Sequence, residues 1–476
     1  MANTAGRRER LLFLTGKLAE KSLARVLAEI SPRAFDYEVR VLGISVAALM
    51  TSDFIKRRLD AVAGYDRVLL PGRCRGDLDD LSASFGVPFE RGPEELKDLP
   101  QYFGAQRRRR PLDRHDLRIF AEIVDAPLCS IEDVLARAAR YQADGADVID
   151  VGCLPDTPFP HLADTVRALK AAGYAVSVDS LQEAELLTGA KAGADYLFSL
   201  SEDTLWIADE GPVTPILIGR EPRDLDSLER AIAACAAAGR PYYADPILDP
   251  IHHGFTDSVL RYRELRRRQP LAPLMMGVGN LTELTHADTL GVNTLLLGIA
   301  SELGASAVLT TEVSAHCRSV VRELAHGRRV MYAAREDGMP PRHFDEGLMA
   351  LHERKPFPYT PAEIADFARE VKDPNFRIQI SPQGIHVYNR DGERLATDPY
   401  ELFPLLGVDD DAPHAFYLGL ELARAQIAWQ LGKRYAQDEE LGWGCVYQPP
   451  ASDKRHFAEE KSTLAARKAR RRRRSE

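Results

Sequence analysis

Short apolar runs alternate with amphipathic stretches along most of the chain, a rhythm that predicts an α/β protein. Residues 11–14 (LLFL) read as a strand, and LAEKSLARVLAEI after them has apolar positions at helical spacing. DYEVRVLGIS is a second strand, and YDRVLLPGRCRGDLDDLSASFG reads as strand, glycine-containing turn and helix. Residues 1–110 are therefore expected to form an open α/β domain of Rossmann or flavodoxin-like type, with Gln106 to Arg110 an exposed linker. Gly16 and Pro71-Gly72-Arg73 follow strands, where such sheets place ligands, although no GxGxxG or GxxxxGK[ST] pattern occurs and tight turns explain these glycines equally well.

From Leu117 the alternation becomes long and regular. Eight strand candidates follow: 118–125, 147–152, 175–180, 196–201, 214–219, 242–246, 273–279 and 306–312. Helical patterns separate them, several closed by AG or DG as a glycine C-cap would be. Eight strands with intervening helices over residues 115–335 predict a TIM-type (β/α)8 barrel, with an open doubly wound sheet as the rival. The stretch 145–180 shows the unit most clearly: Val148–Val151 and Ala175–Val178 flank one amphipathic helix, and such a βαβ unit makes its strands parallel. Residues 336–450 are expected to hold a small α+β module packed on the barrel. FRIQIS and GIHVYN are its strands, a second turn falls at Arg390-Asp391-Gly392, and HAFYLGLELARAQIAWQLGKRY is its helix. Trp429 and Trp443 there read as core.

Composition narrows the class. The 476 residues are 45% hydrophobic and 8% aromatic, enough for a sizeable core. No run of about 18 apolar residues occurs, so nothing is expected to span a membrane, and LLFL is too short for a signal peptide. The cysteines 74, 129, 153, 235, 317 and 445 are scattered without a CxxC pair, which disfavours zinc or a disulfide framework and suits a cytoplasmic protein. Net charge is −9; from Lys454 onward ten Lys/Arg face three Glu, a net of +7, so the rest carries −16. The tail 451–476 is expected to be basic, disordered and solvated, and the acidic body makes nucleic acid an improbable main ligand.

In a barrel of this kind the functional groups come from the carboxyl ends of the strands. Those ends offer Glu122 and Asp125, Asp150, Asp179, Ser199 and Ser201, Asp245 and Asp249, Asn280, and Glu312. This is an acidic mouth with little positive charge. A strand-end carboxylate also serves as a helix cap or loop tether.

GADVIDVG at 145–152 together with SVDS at 177–180 resembles the pterin-binding barrels, namely dihydropteroate synthase and the corrinoid-linked methyltetrahydrofolate methyltransferases. The resemblance implies that Asp179 binds the pterin, whose 2-amino group and adjacent ring N–H form a planar donor pair that a carboxylate accepts bidentately. ADPILDP at 244–250 is similar to the Asp-Pro segments of both families, which points to Asp245 with Asp249 in reserve. GVGNLTEL at 277–284 resembles the methyltransferase strand ending in a pterin-contacting Asn, here Asn280; the synthase lysine of that strand is missing. The synthase opening Asn-Val-Thr-Pro-Asp-Ser is replaced by Val124–Cys129, where Asp125 could stand in as an oxygen ligand for Mg²⁺. The synthase Asn-Asp becomes Phe198-Ser199, and Thr311-Glu312 stands where Arg-x-His would be.

The whole layout resembles the dihydropteroate synthase-related proteins of organisms that make tetrahydromethanopterin, with LLFLTGKLAEKSLARVL, VLLPGRCRGDL and AEIVDAP as the matching stretches. That likeness implies a transferase of one-carbon metabolism, and a homodimer is expected. It would join 6-hydroxymethyl-7,8-dihydropterin pyrophosphate to an arylamine, 4-(β-D-ribofuranosyl)aminobenzene 5′-phosphate. Asp125, Asp179 and Asp245 would be catalytic. Asp150, Ser199, Ser201, Asp249, Asn280, Glu312, Arg73 and Arg75 would contact substrates, and Arg220 is a further group for phosphates. Arg73 and Arg75, in the PGRCRG loop, are expected to overhang the mouth and take the arylamine phosphate. The alternatives are methyl transfer from a reduced pterin to a corrinoid partner, and a non-catalytic pterin-binding protein.

Overall fold

A computed structural model describes residues 8–30, 35–93, 96–103, 111–342 and 344–447; the expected linker at 106–110 and the basic tail at 451–476 lie outside the described residues. The chain divides into two compact units.

The first unit combines residues up to 109 with 355–439. Its first sheet has four parallel strands, β1 (Glu9–Thr15), β2 (Phe35–Val41), β3 (Arg67–Leu70) and β4 (Phe89–Arg91), in the order β2-β1-β3-β4. Alternate residues of β1 go to opposite faces. Leu12 and Leu14 join Met50, Ile55 and Leu81, whereas Leu11 and Phe13 join Leu23, Leu27 and Leu99. Burial on both faces explains why LLFL is an unbroken apolar run. In the same unit the helix Pro361–Glu370 is tied to the loop after β1 and to the first helix by Lys17–Glu370 at 3.2 Å and Arg25–Glu363 at 3.4 Å. The antiparallel sheet of 355–439 has three strands, and its helix is Ala412–Leu431.

The second unit, 110–354 with residues from 440 on, holds the barrel. Its strands are β5 (Arg118–Ile123), β6 (Val148–Gly152), β7 (Val176–Asp179), β8 (Tyr196–Leu200), β9 (Thr214–Leu217), β10 (Tyr243–Ala244), β11 (Met275–Gly277) and β12 (Ala307–Thr311). All neighbours are parallel, in the order β10-β9-β8-β7-β6-β5-β12-β11. A parallel bridge between Ala244 and Leu274 joins the two end strands, so the sheet is nearly closed. The sequential order rules out the doubly wound rival, which needs a reversal of strand order.

Period-two alternation separates lumen from shell. Phe120, Val148, Phe198, Ile216, Met275 and Ala307 pack together inside, while Ile119, Ala121, Ile149, Val176, Val178 and Met276 pack outward with the helices. Gly145 (φ 109°) ends the helix Ile131–Asp144, where a Cβ would lie 2.5 Å from Ala325. At the amino-terminal end of the strands Arg328, buried on the helix Val320–Glu336, donates to Leu117 O at 2.8 Å, to Gly145 O at 3.1 Å and to the Asp147 carboxylate. Among the described residues no helix is long and apolar enough to cross a membrane.

The remaining strands are β13 (Arg377–Ser381), β14 (Gly384–Asn389) and β15 (Gly392–Ala396). Every residue of β14 is buried between its two neighbours, whereas β15 is a mostly exposed edge, so GERLA lacks the alternation that would announce a strand. Trp429 and Trp443 are half-buried.

Candidate functional site

The lumen is apolar at one end and acidic at the other. Glu122 follows Phe120 by two residues on β5, and Asp150 follows Val148 by two on β6, so the same alternation that buries the apolar floor turns these carboxylates inward. Register then aligns Thr311, Glu122, Asp150 and Ser177 in one row across β12, β5, β6 and β7. Asp179 lies one step further along, opposite Gly152. Gly152 is there for space: a Cβ at this position would stand 2.6 Å from Glu122 Oε1 and 3.0 Å from Val124 Cα.

The result is a cluster of carboxylates with few donors. Asp150 is fully buried, and neither of its oxygens nor Ser177 Oγ makes a hydrogen bond. Burial pushes Asp150 well above the usual carboxylate range, with the Asp179 and Glu122 charges adding to the effect. Burial and the Asp179 charge push Glu122 up to about 8. Asp179 rises to about 6 through burial and the Asp245 charge. Asp245, also pushed up to about 6 by burial, is held back by hydrogen bonds from Tyr262 and the Ile247 N–H and by the Arg261 charge.

Glu122, Asp150 and Asp179 each bring one oxygen within 4.8 Å of the others', making this trio the group among the described residues that could hold a metal ion. An all-oxygen donor set with unpartnered carboxylates fits a hard divalent cation such as Mg²⁺.

These raised values carry a stability consequence. A carboxyl whose folded pKa exceeds its unfolded one makes the folded state bind more protons, so stability falls as pH rises from the unfolded value near 4 towards the folded one. Asp150→Asn removes one such carboxyl. It is expected to raise the melting temperature of the ligand-free protein at pH 8 and to leave it nearly unchanged at pH 4. A thermal scan showing equal shifts at both pH values would refute that assignment.

The Asp245 segment is locked on both sides. Tyr262 and Arg261, on the helix Phe255–Arg268, bond to Asp245 Oδ1 (2.6 Å) and to Pro246 O (2.7 Å), Ile247 O (2.6 Å) and Asp249 Oδ2 (3.0 Å) respectively. From the next strand end, Asn280 Nδ2 donates to Leu248 O at 2.8 Å. Asp249 and Asn280 therefore help to build the loop, and Asn280 remains exposed at the end of β11.

The other strand-end residues are placed differently. Asp125 pairs with Arg137 on the following helix; burial raises its carboxyl, but the Arg137 bond and charge together with smaller hydrogen-bond contributions hold it below its ordinary value. Asp125 is not part of the metal-capable trio. Ser201 Oγ accepts from the Asp203 N–H in its own turn, and Ser199 is half-buried at a register shift in β8. Glu312 turns outward between helices. It binds Arg140 at 2.6 Å and the Val321 N–H at 3.3 Å, and burial pushes it up to about 7. Arg220 is gripped by Asp203 with two bonds of 2.8 Å and is paired with Glu202. In the first unit Arg75 is held by its backbone to Met50 and Ser52, and Arg73 lies 3.8 Å from Glu439.

Sequence reasoning missed Tyr262, Arg261 and Ser177. The adjacent Arg-Tyr pair in an otherwise ordinary helix was the available signal for the first two.

Comparison with known proteins adds the following. A family of unknown function, DUF6513, matches residues 9–94. A Methanocaldococcus jannaschii protein described as uncharacterised, MJ0107, is 27% identical over 528 residues, covering 91% of this chain and 99% of that protein. The barrel half is similar to dihydropteroate synthases. The Yersinia pestis enzyme with a sulfonamide drug is 19% identical at a TM-score of 0.38, covering 47% of this chain and 95% of that one. The Xanthomonas albilineans enzyme with 4-aminobenzoic acid is 18% identical at 0.38, covering 48% and 95%.

Proposed function

We propose that the barrel binds a reduced pterin between Asp179 and Asp245 and catalyses transfer at a pterin-linked carbon. One observation carries this: two carboxylates, Asp179 half-buried and Asp245 buried, stand at the ends of β7 and β10, close enough that the Asp245 charge raises the proton affinity of Asp179, with no cationic side chain bonded to Asp179 among the described residues. A buried carboxylate needs donors, and the 2-amino and ring N–H groups of a pterin supply a planar pair. The motif SVDS ends β7, and IDVG ends the neighbouring β6.

In the favoured reaction the amine nitrogen attacks the methylene carbon of 6-hydroxymethyl-7,8-dihydropterin pyrophosphate. The C–O bond breaks, diphosphate leaves with the electron pair, and the amine loses a proton. A divalent cation held by Glu122, Asp150 and Asp179 would offset their mutual repulsion and polarise a substrate oxygen. The amine proposed is the ribosyl-phosphate arylamine of tetrahydromethanopterin synthesis.

Arg220 favours a second reading. Its capture by Asp203 and Glu202 removes a grip for diphosphate, and the resemblance of GVGNLTEL to the methyltransferase strand makes Asn280 the counterpart of their pterin-contacting Asn. Methyl transfer from a methylated pterin to a corrinoid partner needs no diphosphate site.

Incubating the protein with the dihydropterin pyrophosphate and each arylamine in turn, with detection of the conjugate by mass, tests the proposal. Conjugate from the ribosyl-phosphate amine is the expected result. Tight pterin binding without any conjugate would reject the condensation reading.

A further inference from the structure

Asp245 is held asymmetrically. The Tyr262 hydroxyl donates to Oδ1 at 2.6 Å and the Ile247 N–H donates to the same oxygen at 2.7 Å. Among the described residues no hydrogen bond reaches Oδ2, and Asp245 keeps 9% of its surface accessible. Two donors on one oxygen break the equivalence of the carboxylate: Oδ1 is occupied, and Oδ2 keeps its lone pairs for something else.

The surroundings hold this arrangement in place. Ile247 is β-branched yet has φ 66°, a left-handed conformation that persists only where its neighbours enforce it. Arg261 does so, donating to Pro246 O and Ile247 O, and Asn280 secures Leu248 O. Tyr262 is fully buried in the shell between strands and helices, with its ring packed among apolar residues and only its hydroxyl engaged by the site. A buried phenol needs an acceptor, but a backbone carbonyl would have satisfied it. Here it meets a carboxylate of the mouth that keeps an open oxygen and sits on a rigid loop.

We propose that Tyr262 is a positioning residue for Asp245: by occupying Oδ1 it turns Oδ2 into the acceptor that reads the N–H donors of the bound pterin. This rests on the pterin-binding reading above. Tyr262 touches no ligand itself, so its contribution is selective for ligands that carry those donors.

The test compares binding of 6-hydroxymethylpterin with that of its analogue lacking the 2-amino group, by calorimetry, in wild type, Tyr262→Phe and Asp245→Asn. Wild type should prefer the pterin. Tyr262→Phe should cut that preference about tenfold, with the analogue's affinity little changed, since one charge-assisted hydrogen bond behind the acceptor is lost. An equal fall for both ligands, or no fall, overturns the proposal and leaves Tyr262 a packing residue. Asp245→Asn should erase the preference; if it does not, the pterin-binding reading of this carboxylate fails, whatever Tyr262→Phe does. Should Tyr262→Phe not fold, 3-fluorotyrosine at position 262 keeps the shape and strengthens the donor. The preference should then be maintained or increased, and a decrease would refute the assignment.

Discussion

Replacing Asp179 with asparagine is expected to abolish pterin binding while the barrel stays folded. The carboxylate offers acceptors only, and the pterin edge offers two donors. An amide keeps one acceptor and sets its own N–H₂ against a ligand N–H. The loss should be about 2–4 kcal/mol, thirtyfold to a thousandfold in affinity. Folding should not suffer, because burial and the neighbouring Asp245 charge already penalise ionised Asp179 in the ligand-free protein. The expected signature is thus opposite changes, with affinity down and ligand-free melting temperature at pH 8 unchanged or up, as at sites where function costs stability. Calorimetry with 6-hydroxymethylpterin and a thermal scan give both readings. Unchanged affinity would leave Asp179 a structural carboxylate.

The largest stability effect is expected at the other end of the barrel. Arg328→Met keeps the buried stem but deletes the planar fork that joins Leu117 O, Gly145 O and Asp147. Asp147 would retain the Ile119 N–H as a donor (2.8 Å) but lose its cation, Gly145 O would lose its partner, and Leu117 O would keep only His115 Nδ1 at 3.2 Å. Asp147 is itself exposed, so losing its cation costs little, and the main cost, about 1–3 kcal/mol, is the backbone carbonyl left without a donor. Lysine should not restore it, since a single ammonium cannot span three acceptors arranged around a guanidinium. Hydrogen exchange resolves the claim by region: amides of β5 and β6 should lose protection, whereas those of β1 and β3 in the other unit should not. Uniform loss across both units, or none, would contradict it.

Much of the fold was legible because parallel strands are buried on both faces. The eight barrel strands are apolar runs closed by glycine-ended helices, and each proved to be a strand within a few residues of its expected ends. Two strands escaped. Phe89–Arg91 is too short to show a period, and Gly392–Ala396 is an exposed edge whose side chains need not alternate. The acidic mouth was legible too, since a carboxylate ending an apolar run must sit at a strand end.

Which carboxylates act together was a different matter. Glu122, Asp150 and Asp179 converge because parallel register aligns three strands and because Gly152 leaves room for a side chain from its neighbour. Glu312 directly follows β12 just as Asp150 lies near the end of β6, yet it turns outward to Arg140, since one residue of phase reverses a strand side chain. Asp125, the metal ligand suggested by motif comparison, is paired with Arg137 twelve residues on. Tyr262 and Arg261 reach Asp245 and its loop from a helix with no motif of its own. Local pattern determined which segments are strands and where their ends lie, because burial imposes a period on the chain. Partnership among the charges was decided only in the folded barrel, where register, phase and the space left by one glycine set the distances between groups far apart in sequence.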